Sequence, residues 1–378
     1  MWTARGFFSV FSPDQRISMA SLRLPFRPSR TPVRIVFGGV AVALLMTAIG
    51  TGPAHAATSL SGGWRAQHTL AGSQCWPFTG GAQAPYAPNG TGTAWSKQSM
   101  SSNCLVWTSY GIGSNGLGTV ISVGDQNFRA RWTGGGSAPS QNSQAFSGSL
   151  NTYADIAANG TNWAAVGNIG RIRYSANDGV SFSAASTPGG VPALGFVSQH
   201  HGTWITGGGN ARLLWRSTDN GRTWSDVSVP TAIQSTMIFQ GATYDSASAT
   251  WIAVGSYGEI WKSTNDGATW SIAYHLVSND FFTDVDASTD GTIIASTASW
   301  GRMGKSTNGG ASWTFFNIGG IALPAWNAIK AGPTGEWIVA GLANRVYFSL
   351  DNGVNWAPAS GLPSTRTWND LTHASVAD

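Results

Sequence analysis

Charge, glutamate and cysteine are all scarce in this sequence, and each shortage excludes something. Only 10% of its 378 residues are Asp, Glu, Lys or Arg, and glutamate occurs twice, as Glu259 and Glu336. No amphipathic run at helical spacing follows residue 56, so an α-helical fold is excluded. The two cysteines, Cys75 and Cys104, have no histidine pair beside them and cannot complete a zinc shell. In an oxidising compartment their simplest fate is one disulfide. His200-His201 falls in an expected surface turn, and neither a metal nor a cofactor is expected.

The first 56 residues read as an export signal. Arginines at 23, 27, 30 and 34 precede an apolar run from Ile35 to Ile49, followed by Pro53 and the small-residue pattern Ala54-His55-Ala56. Cleavage is expected after Ala56, leaving 57–378 as one domain, and Met19 is an alternative start. The leader carries six of the 21 Lys and Arg and one of the 17 Asp and Glu, which leaves 15 basic and 16 acidic residues, a net charge of −1. The sequence pI of 9.2 therefore belongs to the leader, and no nucleic-acid footprint follows from it.

What is abundant is glycine, with 49 residues, and tryptophan, with 19. Both recur with a period. The pattern Ser-x-Asp/Asn-x-Gly-x-x-Trp/Phe appears as SANDGVSF at 175, STDNGRTW at 217, STNDGATW at 263, STNGGASW at 306 and SLDNGVNW at 349, spaced by 42, 46, 43 and 43 residues. Degenerate copies, TGGGSAPS at 133 and PNGTGTAW at 88, bring the count to seven. Ser, Asx and Gly at these offsets close a tight turn, and the aromatic buries its ring against the sheet. Turn closure accounts for the acidic positions without catalysis or calcium.

Two strand-like runs precede each motif, as in ADIAA then WAAVG, a third leads into it and a fourth follows. Four short strands per period of about 43 residues signal a propeller blade. First strands are expected near Leu105, Ala154, Gly195, Gly241, Asp284, Ala328 and Asp370, again seven. The expectation is an all-β, seven-bladed β-propeller, closed by pairing of the C-terminal strand with residues from about 59 to 101. A Cys75–Cys104 disulfide would staple that composite blade to the next.

The repeats resemble those of Asp-box, or BNR, propellers. VGNIGRIRYSANDG at 166 and VGSYGEIWKSTNDG at 254 are most similar to the photosystem II assembly and stability factor branch. That resemblance implies a non-enzymatic, chaperone-like scaffold for membrane-protein precursors. Asp boxes also occur in sialidases, xyloglucan hydrolases and sorting receptors, so the motif speaks for fold more than for function.

The turn between the second and third strands of a blade lies on the face opposite the motif turns, where ligands usually bind. Counting back four positions from each motif gives Arg129, Arg171, Glu259, Arg302 and Arg345, with Arg212 displaced by one. An arginine arc would fork-bond an acidic protein segment or another anionic partner, such as a chain terminus or an anionic lipid head; inheritance of a solvated arginine from an ancestral blade is the alternative. Glu259 interrupts the arc and is expected to pair with a neighbouring arginine. Asp155, Asp284 and Asp370 open first strands near the axis, with Asn327 and Asn369 beside them, and are expected to cap strand ends or bind channel water. Trp163, Trp204, Trp251 and Trp337 open second strands at one register and are expected to pack blade on blade.

The expected function is an exported, monomeric scaffold, periplasmic or extracellular, for an acidic protein segment, including an envelope or membrane-protein client. A sialidase-like glycoside hydrolase, with Tyr257, Glu259 and Asp284 as candidate groups, and a glycan-binding adhesin are the alternatives. Against catalysis, the Arg-Ile-Pro signature is replaced by Arg171-Ile172-Arg173.

Overall fold

Each motif serine closes its own turn. The Ser175 hydroxyl accepts the Gly179 amide at 3.0 Å and donates to Asn177 Oδ1 at 2.9 Å. Ser217, Ser263, Ser306 and Ser349 accept the amides of Gly221, Gly267, Gly310 and Gly353 in the same way. The turn is left-handed at two successive residues, φ 59° at Asp178 and 72° at Gly179 in the first full copy. Glycine, Asn and Asp tolerate that region best, so the fourth motif position is constrained as well as the fifth.

The computed structural model describes residues 109–133, 146–148, 151–229, 233–276, 280–298, 301–318, 326–342 and 345–359, together with the strand segments Val36–Phe37, Val40–Ala41, Trp64–Leu70, Tyr86–Pro88, Trp95–Lys97, Asn142–Ser143 and Arg366–His373. Cys75, Cys104 and the expected cleavage site at Ala56 lie outside them. The chain divides into two units, Met1–Thr51 and Gly52–Asp378. In the first, Val36–Phe37 pairs with Val40–Ala41.

The second unit holds six blades, each a four-stranded antiparallel sheet of consecutive strands. Their first strands are Ser109–Ser114, Tyr153–Asn159, Phe196–His200, Phe239–Asp245, Phe282–Ala287 and Trp326–Ala331, which define blades 1 to 6 in that order. Second strands such as Asn162–Gly167, Thr250–Gly255 and Trp337–Gly341 are apolar from their tryptophan onward because they are covered on both faces. Trp163 and Ala165 face blade 1 while Ala164 and Val166 face blade 3. Trp163, Trp204, Trp251 and Trp337 are fully buried in these seams. Each removes roughly 200 Å² from water, worth about 5 kcal/mol before conformational entropy is counted. These tryptophans do pack blade on blade.

The expectation of seven blades in a closed ring is corrected to six. Arg366–His373 does pair antiparallel with Trp64–Leu70, and Tyr86–Pro88 and Trp95–Lys97 extend that sheet. It is not a seventh copy of the repeat. Its second and third strands meet at one pair, Ala66↔Tyr86, where the six blades have four or five. The sheet is assembled from both ends of the chain, and counting degenerate motifs gave it the standing of a blade without the pairing of one.

Candidate functional site

Because the strands of a blade alternate in direction, the second-to-third-strand turns and the connections between blades share one face. The motif turns occupy the other. The candidate arginines stand at the start of third strands on the first face. Arg129, Glu259, Arg302 and Arg345 are the first residues of Arg129–Thr133, Glu259–Ser263, Arg302–Ser306 and Arg345–Ser349, and Arg171 directly precedes Ile172–Ser175. Arg212 lies two residues before Leu214–Ser217.

Their surroundings separate them. Arg129 is buried: it donates to the Gly179 carbonyl of blade 2 at 2.8 Å and lies over the Phe146 and Phe182 rings. Loss of bulk water and the charge of Arg131 pull its pKa below the usual arginine range. Arg302 is tied to Asp280 at 2.8 Å and covers Phe315. Arg171, Arg212 and Arg345 are half-buried, and Arg345 Nε is shielded with no hydrogen-bond partner among the described residues. The expected pairing of Glu259 with an arginine is not found among the described residues. Its side chain is fully buried, accepting the Gln234 amide at 2.8 Å and the Trp261 indole N–H at 3.0 Å.

The turns ahead of these arginines carry ordinary residues in left-handed backbone. Gln126, Ile169 and Tyr257 have φ of 54°, 54° and 61°. For Ile169 and Tyr257 that conformation costs about 1–2 kcal/mol. The turns and connections of this face leave several apolar side chains exposed: Ile169 at 48%, Val191 at 76%, Ile233 at 49%, Phe281 at 45% and Leu342 at 37%. Tyr257 rests against Phe281 with ring centroids 5.4 Å apart, and Thr236 donates to its hydroxyl.

The three aspartates hold neighbouring first strands together. Asp155 accepts the amides of Ile156, beside it, and Val197, in blade 3, at 2.7 Å each. Asp284 does the same with Val285 and Ile329 of blade 6, and Asp370 with Leu371 and Ile112 of blade 1. Sequence reading placed them at strand openings but missed their bridging, and it missed two companions. Asp286 joins Thr243 of blade 4 to Ala331 of blade 6. Lys330 stands among these carboxylates. Removal from bulk water pulls its ammonium down, but Asp284, Asp286, Asp370 and Asp155 outweigh it and hold the pKa above the usual lysine range. Desolvation pushes Asp155 up to about 6, and it also raises Asp284 and Asp370.

A second missed set is the fourth motif residue. Asp178 accepts Arg131, Thr119 and Asn115 of blade 1 and the Trp163 indole of its own blade. Asp266 takes Thr203, Arg216 and Trp251 in the same manner, and Asn352 takes Trp337 while donating to Asp290 and Thr292. The signal was in the sequence. Second strands opened by Trp163, Trp204, Trp251 and Trp337 accompany Asp178, Asn220, Asp266 and Asn352, whereas Ile293 accompanies Gly309.

Elsewhere, His200 stacks on Tyr244 at 3.8 Å beside His201. Among the described residues no group of three or more His, Cys, Asp or Glu is arranged to hold a metal.

No family model matches this chain, and no curated protein does. Solved propellers do. YCF48 bound to D1 peptide is 16% identical over 67% of this chain and 81% of that one, with TM-score 0.53. The WD40 propeller domain of Doa1 is 12% identical over 81% of this chain and 89% of that one, with TM-score 0.54. The glycoside hydrolase family 74 xyloglucanase from Xanthomonas campestris is 17% identical over 66% of this chain, which spans 45% of its length, with TM-score 0.52. At these identities the likeness shows the β-propeller fold.

Proposed function

We propose that this chain is an exported, non-enzymatic Asp-box propeller that captures a segment of another protein on the face carrying the second-to-third-strand turns. The observation that carries this reading is the set of apolar side chains that the turns and connections of this face leave exposed: Ile169, Val191, Ile233, Phe281 and Leu342. Apolar side chains left in water on a ligand-bearing face suit an interaction surface. Arg171 and Arg345 stand half-buried on the same face, and guanidinium groups suit a carboxylate, so the proposed segment is acidic as well as apolar. The fold shared with YCF48, solved with a D1 peptide, supplies a precedent for peptide capture, and the assembly-factor-like role with a membrane-protein client is carried by the repeat resemblance alone. Export, with cleavage near Ala56 into the periplasm or medium, and a monomeric state belong to the same proposal.

Glycoside hydrolysis is disfavoured by the state of its candidate groups. A sugar acid or nucleophile needs a carboxylate free to reach the glycosidic bond. Both oxygens of Glu259 and both of Asp284 are already hydrogen-bonded within the protein.

The test is capture from envelope extract on immobilised protein. Arg171→Ala with Arg345→Ala should reduce capture at least tenfold, weaken its salt dependence and leave thermal unfolding unchanged. Undiminished capture, or turnover of a fluorogenic glycoside, would overturn the proposal.

A further inference from the structure

Away from that face, blades 2 and 3 show how an extended segment can dock on the rim. After the fourth strand of blade 2, Ser183–Ala184, the chain leaves its own sheet, and Ser186 forms a parallel bridge to Thr223 in the blade 3 motif. The Ser186 amide donates to the Arg222 carbonyl at 2.8 Å, and the Ser186 carbonyl accepts the Trp224 amide at 2.9 Å.

The corresponding seam between blades 5 and 6 is built differently. The fourth strand of blade 5, Thr314–Asn317, stays on its own sheet, with Phe316 opposite Met303 and Asn317 opposite Arg302. Among the described residues it forms no backbone bridge to blade 6. Val354 and Trp356 hold the motif positions of Arg222 and Trp224, and among the described residues neither the Val354 carbonyl nor the Trp356 amide has a hydrogen-bond partner. A cleft of about 410 Å³ opens there, within the range of ligand pockets. Phe316 and Trp356 line it together with Val354, which is 67% exposed, and the exposed polar groups of Thr314, Asn317 and Asn355.

We infer that the cleft between blades 5 and 6 is a second polypeptide-binding site, taking one extended segment of a partner protein by parallel bridging to Val354 and Trp356, as Ser186 bridges Arg222 and Trp224 within the chain. This is strand addition, in which backbone bonds supply affinity and alternate side chains supply selectivity. The bridged residue must be small, like Ser186, because it passes between a strand and a motif turn. A residue beside it is apolar, to lie on Phe316 and Trp356, and the flanking positions are polar, to meet Thr314, Asn317 and Asn355. The site is independent of the arginine-bearing face.

A library of nine-residue peptides displayed on phage, selected against the full chain, provides the probe. Selected peptides should slow hydrogen exchange of the Trp356 amide at least tenfold. Binding should be lost on Val354→Trp, which fills the cleft from an exposed position and should leave the melting temperature unchanged, and on N-methylation of the bridged peptide residue. It should persist in the Arg171→Ala, Arg345→Ala variant, so failure here and failure of the arginine-bearing face are distinguishable. Peptides that protect only the turns near Ile169 and Tyr257, that bind the Val354→Trp variant equally, or that cannot be selected at all would overturn the inference. So would Trp356 protection without peptide that disappears when the N-terminal or C-terminal segment is trimmed, because the chain would then fill its own cleft.

Discussion

Lys330→Met tests the axial charge network most directly. Methionine keeps most of the methylene stem, so packing changes little, while the cation facing Asp284, Asp286, Asp370 and Asp155 disappears. Removing one partner of a recessed ion pair leaves uncompensated charge and costs about 3–5 kcal/mol. For a domain of this size that is a fall in melting temperature of about 10 °C at pH 7. The pH dependence fixes the sign. Asp155, Asp284 and Asp370 are raised in the folded chain, so between about pH 4 and 6 the native state binds more protons than the unfolded state, and their contribution to stability falls as pH rises. Loss of Lys330 raises these carboxylates further and steepens that fall. The variant should be markedly weakened at pH 7 and closer to wild type at pH 5. Denaturant melts at both values read this directly; a variant as stable as wild type at pH 7, or more impaired at pH 5, would show that Lys330 does not neutralise the cluster.

Other consequences are equally concrete. In a carbon-13 titration the Asp155 carboxyl should change protonation near pH 6, and a midpoint near 4 would contradict its desolvation. Asp178→Ala strips a buried Trp163 indole and three blade 1 donors of their acceptor, and should cost about 2–4 kcal/mol by chemical denaturation. Changing Trp163→Ile and Asp178→Gly together reproduces the Ile293 and Gly309 pairing of blade 5, so the double variant should lose measurably less than the sum of the two singles. Gly111→Ala would set a methyl group 2.6 Å from the Asp155 Cα, and forcing the two first strands apart should cost about 1–3 kcal/mol in the same melts.

The blades were legible because their causes are local. Ser175, Asn177 and Gly179 interact within one turn, and the doubly covered second strands announce themselves as WAAVG, WIAVG and WIVAG. The blade count was not, because PNGTGTAW keeps its glycine, its tryptophan and the pairing of Tyr86–Pro88 with Trp95–Lys97, while Tyr86–Pro88 meets Trp64–Leu70 at a single pair. The arginine register was also legible, since third strands do begin at Arg129, Arg302 and Arg345. What distinguishes those arginines was hidden. Whether a guanidinium tip meets Gly179, Asp280 or open solvent depends on neighbouring blades, which a within-blade alignment does not compare. The same blindness concealed Lys330, whose partners come from three other sheets.

The pairing of Ile293 with Gly309 has a further consequence. Between blades 1 and 2, 3 and 4, and 5 and 6, a polar fourth motif residue fastens one blade to the next. At the seam between blades 4 and 5 Gly309 supplies no such side chain, and apart from the Thr243 to Asp286 bond near the axis the joint rests on Ile252, Val254, Ile260, Phe282, Val285, Ile293 and Trp313. Apolar adhesion weakens on cooling while hydrogen bonds do not follow it. This joint, whose motif turn supplies no side-chain bond, is therefore more cold-sensitive than those three, and chilling should loosen it before them.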